Sequence, residues 1–101
     1  MWPFSRRKSP ADLAIEWMPH AIDVASQKWL EFQLLPFRAE VPLETRIMAF
    51  VEPLKIGLRQ WEAFRTAPDA IFLLIAAKGV EKSGTHSISQ LEQALKVSLP
   101  A

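Results

Sequence analysis

The stretch PDAIFLLIAAKG, residues 68–79, decides the fold of this chain. Pro68 and Asp69 are typical of a helix start, and Gly79 is typical of the residue that follows the last helical turn. We therefore predict a helix over residues 70–78 with Gly79 as its C-terminal cap. Because every side of this helix is apolar, we expect it in the middle of the fold, covered by other elements.

Two amphipathic helices are predicted before this segment, over residues 9–35 and 42–64. Apolar residues recur in both at steps of three and four, and Ser9 is the expected N-cap of the first. Each helix contains an internal proline, which lacks the N–H of a helical hydrogen bond and predicts a kink or a break. These prolines are Pro19 and Pro53.

The pattern W-x-x-F-x-x-x-P occurs twice, at residues 29–36 and 61–68. It places a tryptophan and a phenylalanine one turn apart, before a proline that stops the helix. The repetition predicts two equivalent helices that bury equivalent indoles, those of Trp29 and Trp61.

A last helix is expected to begin at Ser87 or Ser89, because Ser89 and Glu92 match a capping box. The sequence as a whole predicts an all-α fold of four or five helices. Two long, amphipathic, proline-kinked helices pack around one short and fully apolar helix.

The composition is that of one folded domain. The chain has 101 residues, of which 50% are hydrophobic and three are glycine, and these values exclude a second domain and wholesale disorder. We assign residues 9–101 to a single helical domain and residues 1–8 to a flexible basic and aromatic tail. The net charge of +1 does not create the field of a general polyanion binder. The absence of cysteine excludes disulfides, thiol catalysis and thiolate metal sites.

The tail suits an anionic membrane surface, because aromatic side chains stand beside basic ones. These residues are Trp2, Phe4, Arg6, Arg7 and Lys8. A secretory leader and a membrane span are not predicted, since the longest uncharged apolar run covers residues 70–77, against the roughly 20 residues that cross a bilayer. We expect a cytoplasmic location, close to a membrane if the tail binds lipid.

Two polar clusters contain residue types that bind metal ions. Glu16, His20 and Asp23 are spaced for one face of a helix, although the proline among them disturbs that geometry. Residues 81–92 carry oxygen-bearing side chains at the spacing of a calcium loop and resemble an EF-hand, but His86 stands where the sharp turn needs glycine. We expect no metal and no cofactor.

Catalytic function has little support in the sequence, which lacks a phosphate-binding glycine run, a nucleophile elbow and a metalloprotease motif. His86 with Ser83, Thr85 and Ser87 is the best acid–base cluster, but serines and threonines beside a helix commonly cap it. We expect a non-catalytic protein.

The tryptophans supply the main functional signal. On an unkinked helix Trp17 and Trp29 point about 120° apart, so they do not share one narrow core face. Alternatively, a kink at Pro19 buries both indoles. Because exposed tryptophan commonly marks an interface, we predict a protein–protein interaction module that forms a homodimer. Its predicted contact residues are Trp17, Met18 and Trp29.

Two other functions stay open. The first is a small nucleic-acid-binding regulator that uses the C-terminal helix, with base or phosphate contacts from Lys82, Gln90, Gln93 and Lys96. The second is association with a membrane surface through residues 1–8.

Overall fold

The structure is a computed structural model and describes residues 9–33 and 41–99. These residues form four α-helices and one short 3₁₀ turn, and they contain no β-strand, which confirms the all-α prediction. The elements are α1 (Pro10–Phe32), α2 (Leu43–Leu58), the 3₁₀ turn (Glu62–Phe64), α3 (Asp69–Lys82) and α4 (Ile88–Leu95).

Helix α3 contacts each of the other three helices, and its most extensive contact is with α1. The side chains that it buries include Phe72, Ile75 and Val80. By contrast, α1 and α2 contact each other over a smaller region. The apolar segment that the sequence singles out therefore lies between its neighbours and joins them.

The predicted end of α3 at Gly79 is wrong, because the helix continues to Lys82. Gly79 lies where α3 crosses α1 at close range. A Cβ atom at this position would lie 2.5 Å from Cβ of Ala25 and 2.9 Å from its carbonyl carbon. The glycine therefore allows two helix backbones to approach each other, and it does not terminate a helix.

Helix α1 begins as predicted. The Oγ atom of Ser9 accepts a hydrogen bond from the backbone N–H of Asp12 at 3.2 Å. The helix runs through Pro19 without interruption and ends at Phe32, so the proline does not split it. The predicted last turn of α1, residues 34 and 35, lies outside the described residues.

Helix α2 is shorter than predicted and ends at Leu58. Trp61 follows the helix, and Phe64 is buried at the end of the 3₁₀ turn. The prediction of two equivalent helices that bury equivalent indoles is therefore wrong. Trp61 and Phe64 still pack together, with ring centroids 5.9 Å apart, because a 3₁₀ turn also brings residues three positions apart together.

The end of α2 is tied to the start of α3 by Arg59. Its guanidinium donates to Oδ1 of Asp69 and to the carbonyl oxygen of Arg65, each at 3.1 Å. It also lies 4.8 Å from the centre of the Phe72 ring. These contacts fix the turn that places Trp61 beside α1.

Helix α4 begins at Ile88 with a capping box formed by Ser87 and Gln90, and not by the predicted Ser89 and Glu92. The backbone N–H of Ser87 donates to Oε1 of Gln90 at 2.8 Å, and the Gln90 N–H donates to Oγ of Ser87 at 3.2 Å. Both pairs match the sequence pattern, so the pattern alone does not choose between them.

Candidate functional site

The two tryptophans of α1 point in different directions, as predicted. Trp17 is 42% exposed, whereas Trp29 is 0% exposed. Nε1 of Trp29 donates to Oγ1 of Thr85 at 2.9 Å, so its only polar atom is satisfied inside the fold. The assignment of Trp29 to an interface is therefore wrong. Met18 is partly buried against the core, which leaves Trp17 as the exposed member of the predicted set.

Trp17 does not stand alone on the surface. Its ring lies edge-on to Trp61, with centroids 6.1 Å apart, and 5.2 Å from the ring of His20. Trp61 in turn lines an open groove whose other walls belong to α1 and α2. Trp17 and the groove are therefore joined through Trp61 into one surface.

This α1–α2 groove has a volume of about 550 Å³ and a predominantly apolar lining. A concave apolar surface of this size is typical of a binding site. The sequence pointed to Trp17, which contacts Trp61 at the end of the groove, but the residues that line the groove were not predicted as site residues. The lining residues are Val24, Lys28, Glu31, Phe32, Phe50, Pro53, Leu54, Gly57, Leu58 and Trp61.

Gly57 is the unusual residue of the α2 wall. Glycine inside a helix is less favourable than alanine by roughly 0.5–1 kcal/mol. Outside the adjacent residues and the backbone of α2 itself, nothing lies within 4 Å of the position that a Cβ of Gly57 would occupy, so the described packing gives no steric reason for the missing side chain. Gly57 thus differs from Gly79, whose missing side chain is required by Ala25.

Two charged residues, Lys28 and Glu31, belong to the α1 wall of the groove, and both are exposed. Neither forms an ion pair within residues 9–33 and 41–99. The groove therefore combines an apolar lining with one unpaired charge of each sign.

The polar side chains of the loop before α4 are linked by hydrogen bonds to the buried Trp29 indole. Oγ1 of Thr85 accepts from Trp29, and it lies 3.1 Å from Oγ of Ser83 and 3.0 Å from Nδ1 of His86. Ser87 caps α4. The hydroxyl groups that sequence analysis considered for acid–base chemistry thus hold the loop against the Trp29 indole.

His86 makes the stability of this loop dependent on pH. Burial, and secondarily the charge of Arg46, lower the pKa of His86 below 6.5. The unfolded state therefore binds a proton on the His86 imidazole more readily than the folded state does. The contribution of neutral His86 to the free energy of unfolding is fully present above pH 6.5 and is lost as the pH falls toward the lower pKa of the folded state. We expect the melting temperature to fall between pH 7 and pH 5.5, and to fall less in His86→Gln. Equal slopes for both proteins would contradict this assignment.

The residues considered for nucleic-acid binding do not form one free basic surface. Lys82 forms an ion pair with Asp23 of α1, and Gln90 is engaged in the capping box of α4. Gln93 and Lys96 are exposed beside a shallow hollow at the end of α4.

The membrane-binding candidates Trp2, Phe4, Arg6, Arg7 and Lys8 lie outside the described residues. Among the helices that are described, none is sufficiently long and apolar to cross a bilayer. Within the described residues, no group of three or more histidine and carboxylate side chains is placed to hold a metal ion. Asp23, one of the three metal candidates on α1, is paired with Lys82.

Comparison of the chain with protein-family models, with curated proteins and with solved structures gives no match. The geometry of the α1–α2 groove, with Trp17 at its end, is therefore the basis for a functional proposal.

Proposed function

We propose that this protein is a non-catalytic interaction module that forms a homodimer through the α1–α2 groove and Trp17. The observation that carries the proposal is the continuity of the exposed Trp17 indole with the groove through Trp61. Tryptophans at the edge of apolar pockets are typical energetic centres of protein interfaces. Apolar grooves between helices are typical receptors for a helix of a partner.

A second copy of the chain fits this surface electrostatically. The net charge of +1 creates little long-range repulsion between two copies. The groove also contains one residue of each charge sign, Lys28 and Glu31, so that a symmetric partner brings an acid to the lysine and a base to the glutamate. An interface of this kind is complementary to itself, as a two-fold dimer requires.

The first test is Trp17→Ala, measured by sedimentation equilibrium over a range of concentrations. Truncation of a tryptophan that carries much of the binding energy of an interface costs about 2 kcal/mol or more, which corresponds to roughly a 30-fold weaker dimer. The thermal stability of the monomer should change little, because Trp17 is already 42% exposed.

Leu30→Ala provides the matched control. Leu30 also lies on α1 and is 46% exposed, but it does not line the groove. Its removal should leave the dimer constant unchanged. A wild-type protein that stays monomeric at several hundred micromolar would contradict the proposed function, as would equal dimer constants for wild type and Trp17→Ala.

A further inference from the structure

We infer that the two copies pack about a two-fold axis that pairs Lys28 of each copy with Glu31 of the other. This inference rests on the proposed homodimer and specifies its geometry. It names the contact that sets the register of the interface, and it adds a role for Gly57 as the point of closest approach.

The placement of the two charges on α1 supports this symmetry. Lys28 and Glu31 are three residues apart, so they lie about 4.5 Å apart along the helix axis and both belong to the groove. A two-fold axis that passes between them, perpendicular to the helix, brings Lys28 of each copy opposite Glu31 of the other. One axis therefore creates two identical ion pairs.

The lack of ion pairs at Lys28 and Glu31 among the described residues of one copy supports a pairing between copies. Within the described part of the chain, Lys28 and Glu31 form no ion pair with each other or with a third residue, although pairs at this spacing commonly form on helices. Both charges are thus free to meet a partner. In the dimer, the apolar lining of the groove partly desolvates the two cross-copy ion pairs. Such pairs fix the register of an interface and disfavour misaligned copies.

Gly57, on the α2 wall of the groove, supports the dimer geometry independently of the two charges. Its missing side chain leaves open space in the groove, with no atom of another described element within 4 Å, and the packing of one copy does not require a glycine there. Two packed helices usually have axes 8–10 Å apart, and small residues at the crossing point allow the shorter distances. The helix of the second copy therefore approaches α2 most closely at Gly57.

The test uses charge reversal in the full chain. Lys28→Glu places two acidic residues opposite Glu31 and its symmetry mate, and Glu31→Lys does the same with basic residues. Each variant should dimerise roughly ten-fold more weakly than wild type at low salt, because two attractive contacts become repulsive. Salt of about 1 M should largely remove the difference, since it screens such charges.

Mixing of the two single variants gives the decisive result. In a heterodimer of Lys28→Glu with Glu31→Lys, both cross-copy contacts again join opposite charges, so this heterodimer should form in preference to either homodimer. The double variant Lys28→Glu/Glu31→Lys should regain the dimer constant of wild type. Native mass spectrometry of the mixture and sedimentation equilibrium of each variant measure these outcomes.

Glu81→Lys is the control, because Glu81 is exposed on α3 and does not line the groove. It should leave dimerisation unchanged. If Lys28 and Glu31 instead acted within one helix, mixing would not favour the heterodimer, and the inferred symmetry would be wrong. A dimer that is insensitive to both reversals would also overturn the inference while leaving the proposed function intact. A monomeric wild type would overturn both.

Discussion

Gly79→Ala should destabilise the protein by about 1–3 kcal/mol, although alanine is the better helix former. The new methyl group would lie 2.5 Å from Cβ of Ala25 and 2.9 Å from backbone atoms of Ala25 and Ser26. A backbone does not yield as the end of a flexible side chain does, so α1 and α3 would have to move apart. Separation of the two helices would loosen the largest contact in the fold, and urea unfolding measures this loss directly.

Gly57→Ala is the matched variant, and its expected effect has the opposite sign. At concentrations where the protein is monomeric, the methyl group meets nothing outside its own helix backbone and adjacent residues within 4 Å, so the gain in helix propensity should add up to about 0.5–1 kcal/mol of stability. A change of 1 kcal/mol shifts the melting temperature of a domain of this size by roughly 4–8 °C. Stabilisation by both substitutions would contradict the close approach of α1 and α3. Loss of stability in the Gly57→Ala monomer would show an intrachain role for Gly57.

Trp29→Ala should cost about 3–5 kcal/mol, a large fraction of the 5–15 kcal/mol that stabilises a typical domain. The indole is 0% exposed, and its ring centroid lies 5.2 Å from that of Phe50 and 5.8 Å from that of Phe32. Its removal leaves a cavity between α1 and α2. We expect the variant to unfold at a much lower urea concentration than wild type, as measured by circular dichroism.

Thr85→Val separates the hydrogen bond of Trp29 from its packing. The substitution keeps the side-chain volume but leaves Nε1 of Trp29 without its acceptor at 2.9 Å, which should cost about 1–3 kcal/mol. Trp29→Phe removes the indole N–H donor. Thr85→Val should therefore lower the free energy of unfolding less in the Trp29→Phe background than in wild type. Identical effects of Thr85→Val in the two backgrounds would show that the hydrogen bond contributes nothing.

Local signals explain which parts of the fold were predictable. The start of α1 was predictable because Ser9 caps the helix through residues only three positions away. The end of α3 was not, since glycine at position 79 looks the same in sequence whether it stops a helix or faces Ala25 of another helix. Only the tertiary packing of α1 on α3 distinguishes the two roles.

Of the candidate site, only the exposed tryptophan at the end of the groove was predictable. Angular separation along α1 predicted that one of its two tryptophans lies outside the core, but only the tertiary packing, in which Trp29 lies against Phe50 and Thr85, shows that it is Trp17. The α2 wall was missed because apolar spacing continued to Trp61 beyond the true helix end at Leu58. A periodic pattern does not show where a helix gives way to a 3₁₀ turn of similar spacing.

The close contact of Ala25 with Gly79 has a consequence for how the chain acquires its structure. During translation α1 is made long before α3, so its largest packing partner does not exist until synthesis has passed Lys82. Contacts between such distant positions slow folding, because the intervening chain must close a long loop first. We therefore expect the apolar stripe of α1 to stay without its main packing partner until residues 69–82 have been made, and the core to form only after that.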